Sequence, residues 1–447
     1  MKFIDTLKNV WKITELKDRI VLTLGLLLVY RFGAQVVLPG IDASKLGGLA
    51  DSTGDGLLGL LNAFTGGAFA NASVFALGIM PYISASIVVQ LMGIAIPYLQ
   101  KLQKEGESGR KKINQITRWL TIGICLVQAP GYLASLPTLG IPQDAFLLGT
   151  GGMFYFSSII ILVTGTVFAM WLGEKITDKG IGNGISLLIM VGIIAKLPQN
   201  FLQEYAARVT QSNGGLIMIL IELVIWLLII LGSIMLVMGV RKVAVEYARR
   251  TATGGYEKNV FGSRQFLPLK LNASGVMPII FAQAIMFVPS LIGKSFGSGA
   301  VGTWMQTQFS DIFGFWYNVV FAVLIIVFTY FYTAITVPTN KMADDLKRSG
   351  GFIPGIRPGS ETSEYLDKIM SQITLPGSIF LALIAVFPAI IVKLMDVQAG
   401  WALFFGGTSL LIMVGVAIDT MQQVNSYLLN KHYDGLMKTG KNRKAVA

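Results

Sequence analysis

The chain has 447 residues, of which 53% are hydrophobic and 13% charged, with a formal charge of +12 and a mean hydropathy of +0.64. So few charges cannot coat a soluble globule of this length, so the composition excludes an ordinary soluble domain and implies a helical protein that crosses a bilayer many times. A single cysteine (Cys125) and a single histidine (His432) exclude a disulfide framework and a Cys/His metal cluster.

The first residues form a basic amphipathic stretch with Lys2, Lys8, Lys12, Lys17 and Arg19. No small-residue cleavage pattern follows the first apolar run, so no cleavable signal peptide is expected. Apolar runs predict spans over 20–38, 73–97, 116–136, 154–172, 184–197, 216–239, 273–293, 316–337, 375–394 and 400–418. The first carries Arg31 near its outer end, where a long side chain can snorkel to the interface. Before the second lies Gly56–Ala72, GLLGLLNAFTGGAFANA. It is too rich in glycine for a stable lipid-exposed crossing yet amphipathic enough for a half-helix, and reads either as a re-entrant segment or as an outer loop. The second span contains Pro81, and the fifth is short for a full crossing. Glu222 falls near the outer end of the sixth, where an interfacial position is expected.

Spans two, five, seven and ten hold no Asp, Glu, Lys or Arg in their interiors, which leaves an ion-coupled mechanism little to work with. They carry isoleucines instead. Ile79 and Ile83 are i,i+4, as are Ile189 and Ile193, so each pair lies on one helix face about 6 Å apart. Ile280 and Ile412 sit in the other two spans. Nothing in the spacing shows that the four helices converge.

With ten crossings both termini share one side. Of the 36 Lys and Arg, 30 fall on it: 5 before residue 20, then 6 in 98–118, 2 in 173–183, 7 in 241–272, 5 in 338–374 and 5 in 419–447. That side is therefore cytoplasmic, and the positive charge is mostly a topological signal. The loop 338–374 contains Ile353-Pro354-Gly355-Ile356-Arg357-Pro358-Gly359, which reads either as a rigid tip preorganised for contact or as a plain structured turn. Gly180-Ile181-Gly182-Asn183-Gly184 lacks the preceding strand that a nucleotide-binding glycine loop needs. There is no P-loop and no Ser-His or carboxylate constellation, so neither an enzyme nor a cofactor is expected.

Several runs resemble the SecY family of protein-translocation channel subunits, in matching order from the first helix to the last. They are Ala76–Ser86 (ALGIMPYISAS), Gly106–Lys112 (GESGRKK), Gly180–Ser186 (GIGNGIS), the Pro354–Gly359 tip and Gly406–Leu411 (GGTSLL). The resemblance implies an all-α membrane fold of ten transmembrane helices, arranged as two pseudo-twofold-related five-helix halves around a central pore. It divides the chain into an N-terminal half 1–197, a C-terminal half 198–420 and a cytoplasmic tail 421–447. It further implies a pore ring of Ile79, Ile83, Ile189, Ile193, Ile280 and Ile412, and a plug over about 56–70 centred on Asn62, Phe64, Thr65, Gly66 and Gly67. Gln90, Gln128 and Gln283 match a polar patch at a lateral gate. Arg241, Arg249, Arg250, Lys347, Arg348 and Arg357 match the docking surface for a SecA motor ATPase or a ribosome. The pattern departs at 251–262, where Thr251-Ala252-Thr253-Gly254-Gly255 replaces a more basic stretch.

The implied partners are SecE- and SecG-like small membrane subunits, the unfolded polypeptide with its signal sequence, and the bilayer. Contact with nucleic acid is expected only through ribosomal RNA. The implied location is the bacterial inner membrane. A secondary transporter with inverted repeats is the competing reading, and a membrane scaffold or insertase without a through-pore is a third.

Overall fold

The computed structural model describes residues 11, 13–46, 56–137, 141–147, 149, 151–210, 215–247, 264–295, 304, 307–309 and 311–443. The elements in chain order are α1 (Thr14–Gly33), α2 (Gly56–Phe64), α3 (Met80–Ala95), α4 (Pro97–Lys104), α5 (Glu107–Ser135), α6 (Gly152–Lys179), α7 (Gly184–Thr210) and α8 (Gly215–Met238). Then come β1 (Val240–Tyr247), β2 (Arg264–Lys270), α9 (Met277–Ser295), α10 (Phe315–Thr336), α11 (Thr339–Arg348), β3 (Gly351–Phe352), α12 (Ser360–Met395), α13 (Ala399–Ala402) and α14 (Gly407–Arg443). A helix of at least 16 residues thus falls on each of the ten apolar runs. Among the described residues, six helical segments are long and apolar enough by themselves to cross a bilayer core.

Two compact units divide the chain. The first comprises Met1–Ala207, Ala399–Trp401 and Val416–Ala447; the second comprises Arg208–Gln398 and Ala402–Gly415.

In the first unit α3 packs on α5, α5 on α6, and α1 on α6. The predicted fifth span proves longer than its apolar run: α7 continues through Pro198 to Thr210. Contacts sustain this polar extension. Asn200 Nδ2 donates to the Gly400 carbonyl at 3.0 Å, and the Phe201 and Trp401 rings meet edge-on with centroids 5.3 Å apart. The glycine motif at 180–184 is a joint between helices. Asn183 Oδ1 accepts from the Ile185 and Ser186 amides and caps α7. The Ile181 amide donates to Thr23 Oγ1 of α1, and the Gly182 amide donates to Gln423 Oε1 of α14. A Cβ on Gly184 would collide with the Gly173 carbonyl, so α6 and α7 approach where neither carries a side chain.

In the second unit α9 packs on α10, and both α10 and α8 pack on α12. The two long basic loops, separate in sequence, fold together into a small module that the helical pattern did not announce. Strands pair in the order β2-β1-β3, with Val243 opposite Leu267 and Glu246 opposite Phe352. Val243, Val245, Leu269, Leu346, Ile353, Leu366 and Ile369 form its core. Pro268 sits in edge strand β2, where no ladder hydrogen bond is required of it.

The Ile353–Ile356 turn closes with the Ile356 amide donating to the Ile353 carbonyl at 3.1 Å. Proline at its second position and Gly355 at φ +84 make it a type II turn. Ile353 is buried in the module core, so the turn is anchored at its base while Arg357 projects from it.

Glu222, near the outer end of the sixth span, is buried within the protein: its carboxylate lies 2.9 Å from Arg208 Nη2, with the two side chains 1% and 7% exposed. Arg208 Nη2 also donates to the Met395 carbonyl at 2.7 Å and the Asp396 carbonyl at 3.2 Å, where α12 ends. A cation at a helix C-terminus is favourably placed.

Candidate functional site

The site is built around the turn that ends α2. Glycines at 66 and 67, with φ of +65 and +92, stop the helix. The Gly67 amide donates to the Asn62 carbonyl at 2.9 Å and the Gly66 amide to the Ala63 carbonyl at 3.2 Å, which is a Schellman cap. Side chains lock the turn from within. Asn62 Oδ1 accepts from the Ala70 amide, and Thr65 Oγ1 donates to the Leu61 carbonyl while accepting from the Phe69 amide. Beyond the turn the chain is fastened to the bundle. Tyr132 donates its hydroxyl proton to the Phe69 carbonyl at 2.9 Å, and the Leu38 amide donates to the Ala72 carbonyl at 2.9 Å. Residues 56–64 are thus a short helix, followed by largely buried non-helical backbone up to α3.

Consecutive residues of this turn touch two different helices. A Cβ on Gly78, just before α3, would lie 3.2 Å from Thr65 Cγ2. A Cβ on Gly66 would lie 2.7 Å from Gly192 Cα of α7, and one on Gly192 would lie 2.9 Å from the Phe64 carbonyl oxygen. Adjacent Cα atoms are 3.8 Å apart, so the starts of these two contacts are one peptide apart. The turn therefore brings Ile79, next to Gly78, and Ile193, next to Gly192, to its two flanks. Ile79, Ile189 and Ile193 are buried and Ile83 is half-buried. Ile189, Gly192, Ile193 and Lys196 share one face of α7, the face on which the turn sits.

Arg31, near the outer end of the first span, is half-buried and reaches the turn. Its Nη1 donates to the Gly66 carbonyl at 2.6 Å. Lys196 packs its methylene chain against Gly67 and reaches Gln199 Oε1 at 3.3 Å.

The remaining two isoleucines lie in the second unit. A Cβ on Gly415 of α14 would lie 3.7 Å from Val276 Cγ2 at the head of α9. Ile412 lies three residues before that contact on one helix and Ile280 four residues after it on the other. Ile412 is buried and Ile280 half-buried.

Of the three amides, Gln90 is half-buried and donates to Ser86 Oγ on its own helix at 3.4 Å. Gln128 is exposed on α5, and Gln283 is buried on α9.

Arg241, Lys347, Arg348 and Arg357 are exposed on the loop module, while Arg249 and Arg250 lie outside the described residues, as does the divergent stretch 251–262. Arg357 is 88% exposed, with Glu361 Oε1 3.8 Å away. An exposed i,i+4 pair at that distance is weak, so the guanidinium stays available to a partner. The sequence analysis missed the sheet that unites these loops. Its signal was present in Val240–Tyr247, where Val243, Val245 and Tyr247 alternate with polar or small residues.

A sequence model of the SecY family matches residues 73–421. The protein translocase subunit SecY of Escherichia coli strain K12 is 40% identical over 430 residues, 95% of this chain and 94% of the relative. That of Mycobacterium bovis is 39% identical over 450 residues, 98% and 99% of the two chains. The chain belongs to the SecY family.

Among solved structures, one described as a protein conducting channel aligns with a TM-score of 0.59 at 17% identity and 91% coverage of each chain. Sec61 in a canine ribosome-channel complex aligns at 0.56, with 17% identity and 91% coverage of each chain. At that identity they speak for the fold, which is the ten-helix, pseudo-symmetric membrane fold of SecY and Sec61 channels. Another match concerns a plug domain said to stabilise the closed state of its own channel, with a TM-score of 0.60 at 17% identity. SecY-family membership makes this a multi-pass protein of the bacterial membrane and a channel subunit, neither an enzyme nor a secondary transporter.

Proposed function

We propose that the chain is the pore subunit of a bacterial protein translocase. It is a passive, gated conduit for unfolded secretory polypeptides, and it releases the helices of membrane proteins sideways into lipid. The seating of Thr65–Gly67 against Gly78 and Gly192, flanked by Ile79 and Ile193, carries this reading. Residues about 56–70 are the plug, and Ile79, Ile83, Ile189, Ile193, Ile280 and Ile412 are the pore ring. An aliphatic constriction dewets and so resists ions, while offering no polar group that would select among passing sequences. Gln90, Gln128 and Gln283 belong to a lateral gate, where interhelical amide contacts worth about 1 kcal/mol each are weak enough for a signal-sequence helix to displace.

Energy comes from a partner, because the sequence has no nucleotide motif. The folded module carrying Arg241, Lys347, Arg348 and Arg357 is the docking surface for a SecA motor ATPase or a ribosome. The likeness to Sec61 and Ssh1 channels solved with ribosomes supports a ribosome as one occupant. Small membrane subunits of the SecE and SecG kind complete the assembly. Both termini face the cytoplasm, a reading supported by the 30 of 36 Lys and Arg on that side.

Depletion of the protein in its own cell is the test. Signal-bearing precursors are expected to accumulate uncleaved, and wild-type chain is expected to restore their export. Precursor export that continues undiminished after depletion would refute the conduit. In the same cells Arg357→Glu is expected to restore export at least about tenfold less well than wild type, as for an interfacial arginine hot spot. The variant should accumulate normally, because Arg357 is exposed. Full restoration by Arg357→Glu would remove that residue from the docking surface.

A further inference from the structure

We propose that Arg31 is the latch that holds the plug shut, through its hydrogen bond to the Gly66 carbonyl. The inference rests on the reading of residues about 56–70 as the plug and assigns a role to a residue outside it. Among the described residues, the turn Thr65–Gly67 receives one polar contact from the surrounding bundle, the 2.6 Å bond from Arg31 Nη1 to Gly66. Its other contacts with neighbouring elements are van der Waals approaches to Gly78, Gly192 and the Lys196 methylenes. The remaining hydrogen bonds at the turn are internal to 61–71. Backbone-on-backbone contact at Gly66–Gly192 lets the turn seat closely, but it supplies no directional bond.

The position of the latch is significant for two reasons. Arg31 pairs with no carboxylate among the described residues, so its charge is directed at a peptide carbonyl. A charge-assisted bond of this kind is shorter and roughly twice as strong as a neutral one. Gly66 is also the first residue past the cap of α2, so the guanidinium stands at the negative end of the plug helix, with Lys196 beside it. Downstream, Tyr132 and Leu38 fasten residues 69 and 72 to the bundle. Release of Arg31 therefore frees the helix and turn, while the anchored chain behind them keeps the plug tethered. The latch is reversible, because no covalent bond or buried ion pair has to break.

The test is a double-mutant cycle in planar bilayers containing the full chain with its small membrane subunits. Arg31→Met, deletion of residues 56–67, and both together are compared with wild type at rest. In the intact chain, Arg31→Met is expected to raise the resting open probability about tenfold or more, the scale for losing a hydrogen bond to a charged group. The conductance of each open event should stay unchanged. In the plug-deleted chain Arg31→Met should add nothing, since the latch then has nothing to hold. Arg31→Gln keeps a donor without the charge and should give a smaller rise; it carries the same test if Arg31→Met does not accumulate.

Wild-type open probability in Arg31→Met, beside a leaky plug deletion, would overturn the latch and leave the plug reading intact. An equal rise from Arg31→Met with and without the plug would also overturn it, by placing the effect in the pore wall. A plug deletion that does not leak would remove the plug reading and the latch with it.

Discussion

Replacing Ile79, Ile83, Ile189 and Ile193 together with serine is expected to make the resting membrane leak small ions, with single-channel conductance in reconstituted bilayers as the readout. All four residues belong to one compact unit, and the Thr65–Gly67 turn is seated beside two of them. A narrow aliphatic wall stays dry because wetting it costs the transfer free energy of its side chains. Full exposure of one isoleucine to water costs about 1.5–3 kcal/mol. Serine at four positions therefore lowers the barrier by more than the roughly 1.4 kcal/mol that corresponds to a factor of ten. A leak at least about tenfold above wild type follows. Leucine at the same four positions keeps the wall apolar and is expected to stay tight. If the serine variant conducts no more than wild type, these residues do not form the seal.

The second large effect concerns stability. Glu222→Ala removes one carboxylate from beside the buried Arg208 guanidinium, which keeps the Met395 and Asp396 carbonyls. Breaking a buried ion pair from one side costs about 3–5 kcal/mol, because the surviving charge stays desolvated. Thermal unfolding in detergent should show a marked fall in melting temperature, and steady-state levels in cells should drop. The double variant Arg208→Met, Glu222→Met removes both charges and should recover most of the loss. Equal stability of Glu222→Ala and wild type would mean that the pair contributes nothing to the ends of α7 and α12.

The ten helices were legible because runs of apolar residues long enough for a bilayer leave little choice of structure, and the alternation of Lys and Arg checks their number. The rest depended on partners distant in sequence. The extension of α7 past Lys196 was hidden because Pro198, Gln199 and Asn200 break the apolar run; its support comes from Gly400 and Trp401. Glu222 was read from its place near the outer end of the sixth span, and its ion pair with Arg208, on the preceding helix, leaves no mark in local patterning. The loop sheet joins Glu246 to Phe352 across more than a hundred residues, a pairing that local patterning does not reveal.

For the candidate site, sequence reasoning singled out residues on both sides of the Gly66–Gly192 contact. Gly66 and Gly67 were singled out, and so were the isoleucines on either side of Gly192. It had no means of placing them together, because one glycine meeting another leaves no mark in composition or spacing. Arg31 illustrates the same gap. A lone arginine near a helix end has a ready interfacial explanation, and only the fold shows the carbonyl at which it points.

The most direct measurement is cross-linking of a secretory polypeptide arrested midway through export. Single cysteines at positions 79, 83, 189, 193, 280 and 412 would be paired with one cysteine in the arrested chain. All six positions are expected to form adducts with the passing segment, and lipid-facing controls such as Leu228 or Val323, both exposed on their helices, should form none. Adducts confined to one unit, or no more frequent than at the controls, would contradict a shared aliphatic passage.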